Sequence, residues 1–136
     1  MKSKKFTVIL TSVLMMCCVF CFGCKDNNPP KQAIATIDGM EIQSIEIFNL
    51  EGDYYNISIG IKNTTEEIKI MDFAKIVLKL GDTSLLHNGS PTEYAAGQYF
   101  KWSCQIDIEG SDLTVGDNVD VYYEDQFLTN VVVTEF

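Results

Sequence analysis

Two segments of the chain alternate apolar and polar residues with a period of two. Successive side chains of a β-strand point to opposite faces, so such alternation predicts a strand with one buried face. Residues 54–62 and 100–109 are therefore predicted strands. The apolar members are Tyr55, Ile57, Ile59 and Ile61 in the first segment, and Phe100, Trp102, Cys104, Ile106 and Ile108 in the second.

Weaker alternation recurs along the rest of the chain, at residues 33–37, 40–48, 76–80, 119–123 and 131–133. Turn-forming residues such as Gly, Asn and Asp separate these stretches. The sequence has no convincing amphipathic helix. Seven or eight short strands at this spacing predict an all-β domain, an antiparallel sandwich or barrel, over residues 33–136.

The first 22 residues have a different character. Lys2, Lys4 and Lys5 form a basic start, and residues 6–22 carry no charge. A basic segment followed by an apolar one is typical of an export signal. An uncleaved membrane anchor is the alternative, because roughly 17 to 25 apolar residues are enough to cross a bilayer.

Cys24 distinguishes these alternatives. Gly23 precedes it directly, and the polar residues 25–32, with Pro29 and Pro30, follow. This edge resembles the lipobox of bacterial lipoproteins, in which the cysteine after a small residue receives a diacylglyceryl group. The resemblance implies a leader at residues 1–23, a lipidated Cys24, and a polar tether at residues 24–32. It also implies a location on the outer side of a membrane, at the cell membrane or the outer envelope.

Charge narrows the range of partners. Removing the leader takes three of the ten lysines, which leaves seven lysines against nineteen acidic residues and a net charge of −12. The chain also has no arginine, the residue best suited to binding phosphates and base edges. Nucleic acid and anionic lipid headgroups are therefore poor partners.

The cysteines predict a fold without disulfides. Cys17, Cys18 and Cys21 belong to the leader, and Cys24 is used for lipidation. Cys104 then remains alone, so the domain depends on its hydrophobic core.

A family resemblance covers residues 53–133. It rests on the long strand that ends in Asn63-Thr64-Thr65, on Asp72-Phe73, on Gly81-Asp82, and on the Gly97-Gln98 turn before the second alternating strand. The segment resembles the immunoglobulin-like domain of unknown function found in many bacterial surface lipoproteins. The resemblance implies an immunoglobulin-like antiparallel β-sandwich outside the cytoplasm, with no catalytic residues.

Catalytic chemistry has little support in the sequence. His87 is the only histidine, and neither Ser84 nor Ser90 lies in a Gly-x-Ser-x-Gly elbow. Cys104 shares a strand face with Trp102 and Ile106, so we expect a small core residue rather than a nucleophile. We therefore expect no enzyme activity, no metal and no cofactor.

Binding is the favoured function. The segment from Ser90 to Tyr99 is the best candidate for a binding loop. It contains Tyr94 and Tyr99, and tyrosine gives a large contact area at low entropic cost. The alternative is a hairpin whose aromatic residues only cover the sandwich edge. We expect a lipid-anchored module that binds a protein or the cell wall.

Calcium offers a second hypothesis. Carboxylates are frequent between residues 107 and 125, and Asp112 and Asp117 are the candidate ligands. The spacing does not match an EF-hand. Under this hypothesis the domain is a calcium-stabilised structural or adhesive module.

Overall fold

A computed structural model describes residues 32–136. One compact unit spans Gln32–Phe136. Within it lie eleven β-strands and one short 3₁₀ helix, Phe73–Lys75, with no α-helix in this range. The strands are β1 (Ala35–Ile37), β2 (Met40–Glu51), β3 (Tyr54–Asn63), β4 (Lys69–Asp72), β5 (Ile76–Leu80), β6 (Thr83–His87), β7 (Pro91–Tyr94), β8 (Tyr99–Asp107), β9 (Asn118–Tyr123), β10 (Gln126–Val132) and β11 (Thr134–Glu135).

The strands form two facing layers. One layer has the order β1-β2-β3-β8, and the other has the order β5-β9-β10. Strand β6 joins them, because its first half pairs with β5 and its last residues, Leu86 and His87, pair with β8. Strands β4 and β7 form a separate two-stranded ribbon. All pairs are antiparallel except β11, which runs parallel to β2.

This architecture confirms the predicted all-β antiparallel sandwich. The eleven strands exceed the predicted seven or eight. The additional ones include β4, β7 and β11, which have two to four residues each and are too short to show a periodic pattern.

The two alternating segments are central strands, as predicted. Strands β3 and β8 pair along almost their whole length, with Ile59 opposite Trp102. Both side chains are buried. The Trp102 ring also stacks on Phe73, with centroids 4.0 Å apart and planes within 2°. The core therefore holds the two layers together through the faces that the alternation predicted. Phe100 is the exception, because it lies near the start of β8 and is 44% exposed.

The predicted leader at residues 1–23, Cys24, and the tether up to residue 31 lie outside the described residues. In the described part of the chain, no helix is long and apolar enough to cross a membrane.

Candidate functional site

His87 is engaged by the backbone through both ring nitrogens. Nε2 lies 2.7 Å from the carbonyl oxygen of Ile76, and Nδ1 accepts a hydrogen bond of 3.0 Å from the Gly89 N–H. This arrangement suits a neutral ring with its proton on Nε2. The ring ties the end of β6 to the start of β5. Its nitrogens serve the fold, which leaves neither of them available as a general base.

Cys104 lies on the inner face of β8 and is half-buried against the core. Burial raises the pKa of its thiol, which outweighs the opposing effect of the Asn88 backbone. A raised pKa lowers the thiolate fraction, and the thiolate is the nucleophile. These properties agree with the expected core role.

Tyr94 is not an exposed anchor, so the prediction that it contacts a partner is wrong. It has no exposed surface, and its ring meets Phe100 edge-on at 6.1 Å between centroids. The cause is the pairing of β7 with β4, which turns Tyr94 inward. Its hydroxyl is buried without a hydrogen-bond partner among the described residues. Burial raises the pKa of Tyr94 to about 12, and Tyr99 adds to the rise.

Tyr99 is half-exposed and begins β8. Its phenol lies on the outer face of the sheet beside Gly60. A Cβ at Gly60 would lie 2.5 Å from the Tyr99 Oη and 2.6 Å from the Ser44 Oγ. Glycine at this position thus makes room for the tyrosine ring. The structure separates the two predicted anchors, with Tyr94 inside and Tyr99 outside, and the role of Tyr99 in binding stays a prediction.

Asn63 is a buried polar residue whose importance the sequence reasoning missed. Its Nδ2 lies 2.8 Å from the Glu67 carbonyl, 3.0 Å from that of Tyr94 and 3.1 Å from that of Ala95. Its Oδ1 accepts hydrogen bonds from the N–H and the hydroxyl of Thr65.

The backbone of Asn63 completes this junction. Its N–H donates to the Gln98 carbonyl at 2.9 Å, and its carbonyl accepts from the Gly97 N–H at 2.8 Å. Gly97 has φ +75°, a conformation that favours glycine. One asparagine therefore fastens the end of β3 to the turn that precedes β8. The available signal was that Asn63 and the Gly97 turn are both among the residues that carry the family resemblance.

The acidic stretch is largely used in turns and pairs. Asp117 accepts hydrogen bonds from the Thr114 N–H at 2.9 Å and its hydroxyl at 3.3 Å. Asp120 accepts from the Asn130 amide at 2.9 Å. Asp112 is exposed. Within residues 32–136, no three His, Cys, Asp or Glu side chains are grouped so that they could share a metal ion.

An open groove of about 920 Å³ lies between three strands of the domain. It lies at the end of the sandwich where β3 begins and β8 ends, opposite the Asn63 end. We call it the Tyr54 groove. Its lining comes from three separate chain segments and consists of Asp53, Tyr54, Leu86, His87, Asn88, Gln105, Ile106, Asp107, Ile108 and Glu109.

Three side chains form a row across the Tyr54 groove. On one side of β8, Asp107 pairs with Leu86 of β6. On the other side, Ile106 pairs with Tyr55 of β3, so the preceding residue Tyr54 lies beside Asp107. Tyr54 is 59% exposed and Leu86 is 65% exposed. The Oδ1 of Asp107 accepts a hydrogen bond of 2.9 Å from the Glu109 N–H, which fixes its carboxylate. A carboxylate thus lies between an exposed aromatic ring and an exposed aliphatic side chain.

The charge of the Tyr54 groove has one sign. Its lining contains the carboxylates Asp53, Asp107 and Glu109 and no lysine. The sequence reasoning did not identify this groove, because its parts are far apart in the chain.

Comparison with known proteins adds no relative. No family model, curated protein or solved structure matches the chain significantly.

Proposed function

We propose that this chain is a lipid-anchored extracytoplasmic binding module without catalytic activity. The observation that carries the proposal is the Tyr54 groove, which exposes Tyr54 and Leu86 on a rigid pair of sheets. Exposed apolar side chains grouped in a concave site are typical of binding surfaces.

The anchor is inferred from the N-terminal sequence. A diacylglyceryl group on Cys24 supplies two acyl chains, and each buried methylene contributes about 0.8 kcal/mol. Two chains are enough for stable attachment. The mature domain would then stand outside the cytoplasm, separated from the membrane by the polar residues 25–32.

The absence of catalysis is inferred from the side chains that usually perform it. His87, the only histidine of the sequence, uses both nitrogens to bind backbone. Cys104 is half-buried, and its pKa is raised by burial. A nucleophile and a base must lie within hydrogen-bonding reach of each other, and these two residues are both committed to the fold.

Membership of the immunoglobulin-like lipoprotein domain is part of the same proposal. It is supported by the bond between Asn63 and Gly97, since these are two of the residues that carry the resemblance. A motif that joins two strands of one sheet has a structural reason to recur within a family.

Cross-linking in living cells tests the binding function. Benzoylphenylalanine in place of Tyr54 or Leu86 should give discrete cross-linked products after irradiation of cells that express the full chain. The matched control places it at Glu93, which is exposed at the other end of the sandwich. Equal products from groove and control positions would contradict a binding role for the Tyr54 groove.

Labelling tests the anchor separately. Cells given radioactive palmitate should label the wild-type chain, and Cys24→Ala should remove the label and leave an unprocessed precursor. Label that persists in Cys24→Ala would contradict the anchor and leave the groove experiment unaffected.

A further inference from the structure

We propose that the Tyr54 groove binds a lysine or arginine side chain of a partner polypeptide. This inference rests on the proposed binding function and names the chemistry of its ligand. Lysine and arginine combine an aliphatic stem with a cationic end, so each requires an apolar surface and an acceptor close together.

The row of Tyr54, Asp107 and Leu86 offers these groups in the required order. A cation placed at the Asp107 carboxylate can donate charge-assisted hydrogen bonds. The Tyr54 ring beside it can attract the same cation through its π-face, while Leu86 covers the methylenes of the stem. The hydrogen bond from Glu109 N–H to Asp107 Oδ1 holds the acceptor in place before the ligand arrives.

The surrounding charge favours the same ligand. Asp53 and Glu109 add two further carboxylates to the lining. The salt bridges of the described residues join Lys69 to Asp38, Lys75 to Glu124 and Lys101 to Glu46, none of which lines the groove. The groove acids thus form no salt bridge within the described residues, and a cationic partner can supply their countercharge.

A bare metal ion fits this site less well. Calcium takes six to eight oxygen ligands, whereas the row alternates one carboxylate with two apolar side chains. No three potential metal ligands are grouped within residues 32–136. An alkyl cation uses all three members of the row.

A peptide titration tests the proposal. The full-length chain in detergent micelles is titrated by calorimetry with acetyl-pentalysine-amide, with acetyl-pentaglutamate-amide as the opposite-charge probe. We expect binding of pentalysine alone. Asp107→Asn, which keeps an oxygen acceptor for the Glu109 N–H, should weaken it at least tenfold, and Tyr54→Ser should weaken it about fivefold.

Glu93→Gln is the matched control, because it removes one exposed negative charge at the other end of the sandwich. It should change pentalysine affinity less than twofold. Equal effects of Asp107→Asn and Glu93→Gln would show general charge attraction and overturn the proposal. Spermidine that binds as tightly as pentalysine would also overturn it, in favour of a free polyamine.

The two proposals fail in different ways. If pentalysine does not bind while Tyr54 and Leu86 positions still cross-link in cells, the ligand class is wrong and the binding function stands. If the groove positions also fail to cross-link, both proposals fall.

Discussion

Asn63 and Tyr94 at one end of the sandwich lie in the opposite environment to Asp107 and Tyr54 at the other end. Strand β3 spans ten residues, which separates its ends by about 30 Å. At the Asn63 end, the asparagine and Tyr94 are fully buried. At the other end, Tyr54 is exposed and the carboxylates of the Tyr54 groove face solvent.

This difference predicts that the residues that stabilise the fold and the residues that bind a partner lie at opposite ends of the domain. A buried amide must find partners inside the protein, and Asn63 finds five within hydrogen-bonding distance through its side chain. In the Tyr54 groove, Tyr54 and Leu86 are mostly exposed, so a partner can still contact them. Functional residues should accordingly lie where substitution has little effect on the fold. The predictions below test that separation, beginning with the core between the two ends.

The largest effect should come from Trp102, which joins the layers by stacking on Phe73. Trp102→Ala should lower the free energy of unfolding by about 3 to 5 kcal/mol, because a large buried aromatic leaves a cavity. Its neighbour Lys101 points outward and pairs with Glu46 at 3.3 Å. Lys101→Ala should cost less than about 1 kcal/mol, as exposed ion pairs do. Similar urea midpoints for the two variants would show that the assigned faces of β8 are wrong.

The next prediction compares Asn63 and Asn49, which lie at opposite ends of the sandwich. Asn63→Ala should cost about 2 to 4 kcal/mol, because several backbone groups lose their partner and the buried ones cannot reach water. Asn49 also donates to loop carbonyls, those of Gly52 and Tyr54, but in an exposed turn.

Asn49→Ala should therefore cost about 1 kcal/mol or less, since water can replace the lost bonds. Urea denaturation of both variants measures the difference directly. Equal losses would mean that the two ends do not differ in how much they stabilise the domain.

Tyr94 should make the domain sensitive to alkali. An unfolded tyrosine loses its proton near pH 10, whereas burial holds the pKa of Tyr94 at about 12 in the folded state. The ionisation of Tyr94 therefore leaves the free energy of unfolding unchanged below pH 10. Between pH 10 and 12 it lowers that free energy by about 1.4 kcal/mol for each pH unit. Tyr94→Phe should lack this loss.

The same variant tests the buried hydroxyl at neutral pH. Because that hydroxyl has no partner in the described residues, Tyr94→Phe should be as stable as the wild type, or more stable by about 1 kcal/mol. The measurement is the unfolding free energy at pH 7, 10, 11 and 12 for both chains. A large loss at pH 7 would mean that the hydroxyl makes a bond important for stability.

Part of this organisation was predictable from the sequence. Strands β3 and β8 followed from their alternation, and Trp102 and Ile59 lie on the buried faces that it indicated. Periodicity is a local property, and these strands are long enough to show it. The short strand β7 is not, so the side to which Tyr94 points depended on its pairing with β4, about twenty residues earlier.

Local periodicity could not predict the Tyr54 groove. Tyr54, Leu86 and Asp107 come from β3, β6 and β8. They meet because β8 pairs with β3 on one side and with the crossing strand β6 on the other. Each residue alone reads as an ordinary strand residue. Asn63 was visible as a turn signal, but its role depends on the turn at Gly97, more than thirty residues away.

Substitution of Asp117 should have a smaller effect on stability. The calcium dependence of that effect distinguishes a turn-forming role from calcium binding. Asp117→Ala should cost about 1 kcal/mol, because the two hydrogen bonds to Thr114 are lost at a partly exposed turn. Asp112→Ala, at an exposed position, should cost less. Neither change should depend on calcium. A melting temperature that rises with calcium in the wild type, and not in Asp117→Ala, would support the calcium-stabilised alternative.

The smallest effect on stability should occur in the Tyr54 groove. Tyr54→Ser and Leu86→Ser should each change the unfolding free energy by no more than about 0.5 kcal/mol, since both side chains are mostly exposed. Tyr55→Ser is the matched control, because Tyr55 is the adjacent tyrosine and its side chain is buried. Its loss should amount to several kcal/mol, within the range for large buried side chains. Urea midpoints for the three variants give the comparison.

If Tyr54→Ser destabilises the domain as much as Tyr55→Ser, the exposed ring serves the fold, and the distinction between a structural end and a binding end is lost. If Tyr54→Ser leaves the fold intact while the cross-links from benzoylphenylalanine at the Leu86 position disappear, Tyr54 contributes to partner binding and not to the stability of the domain.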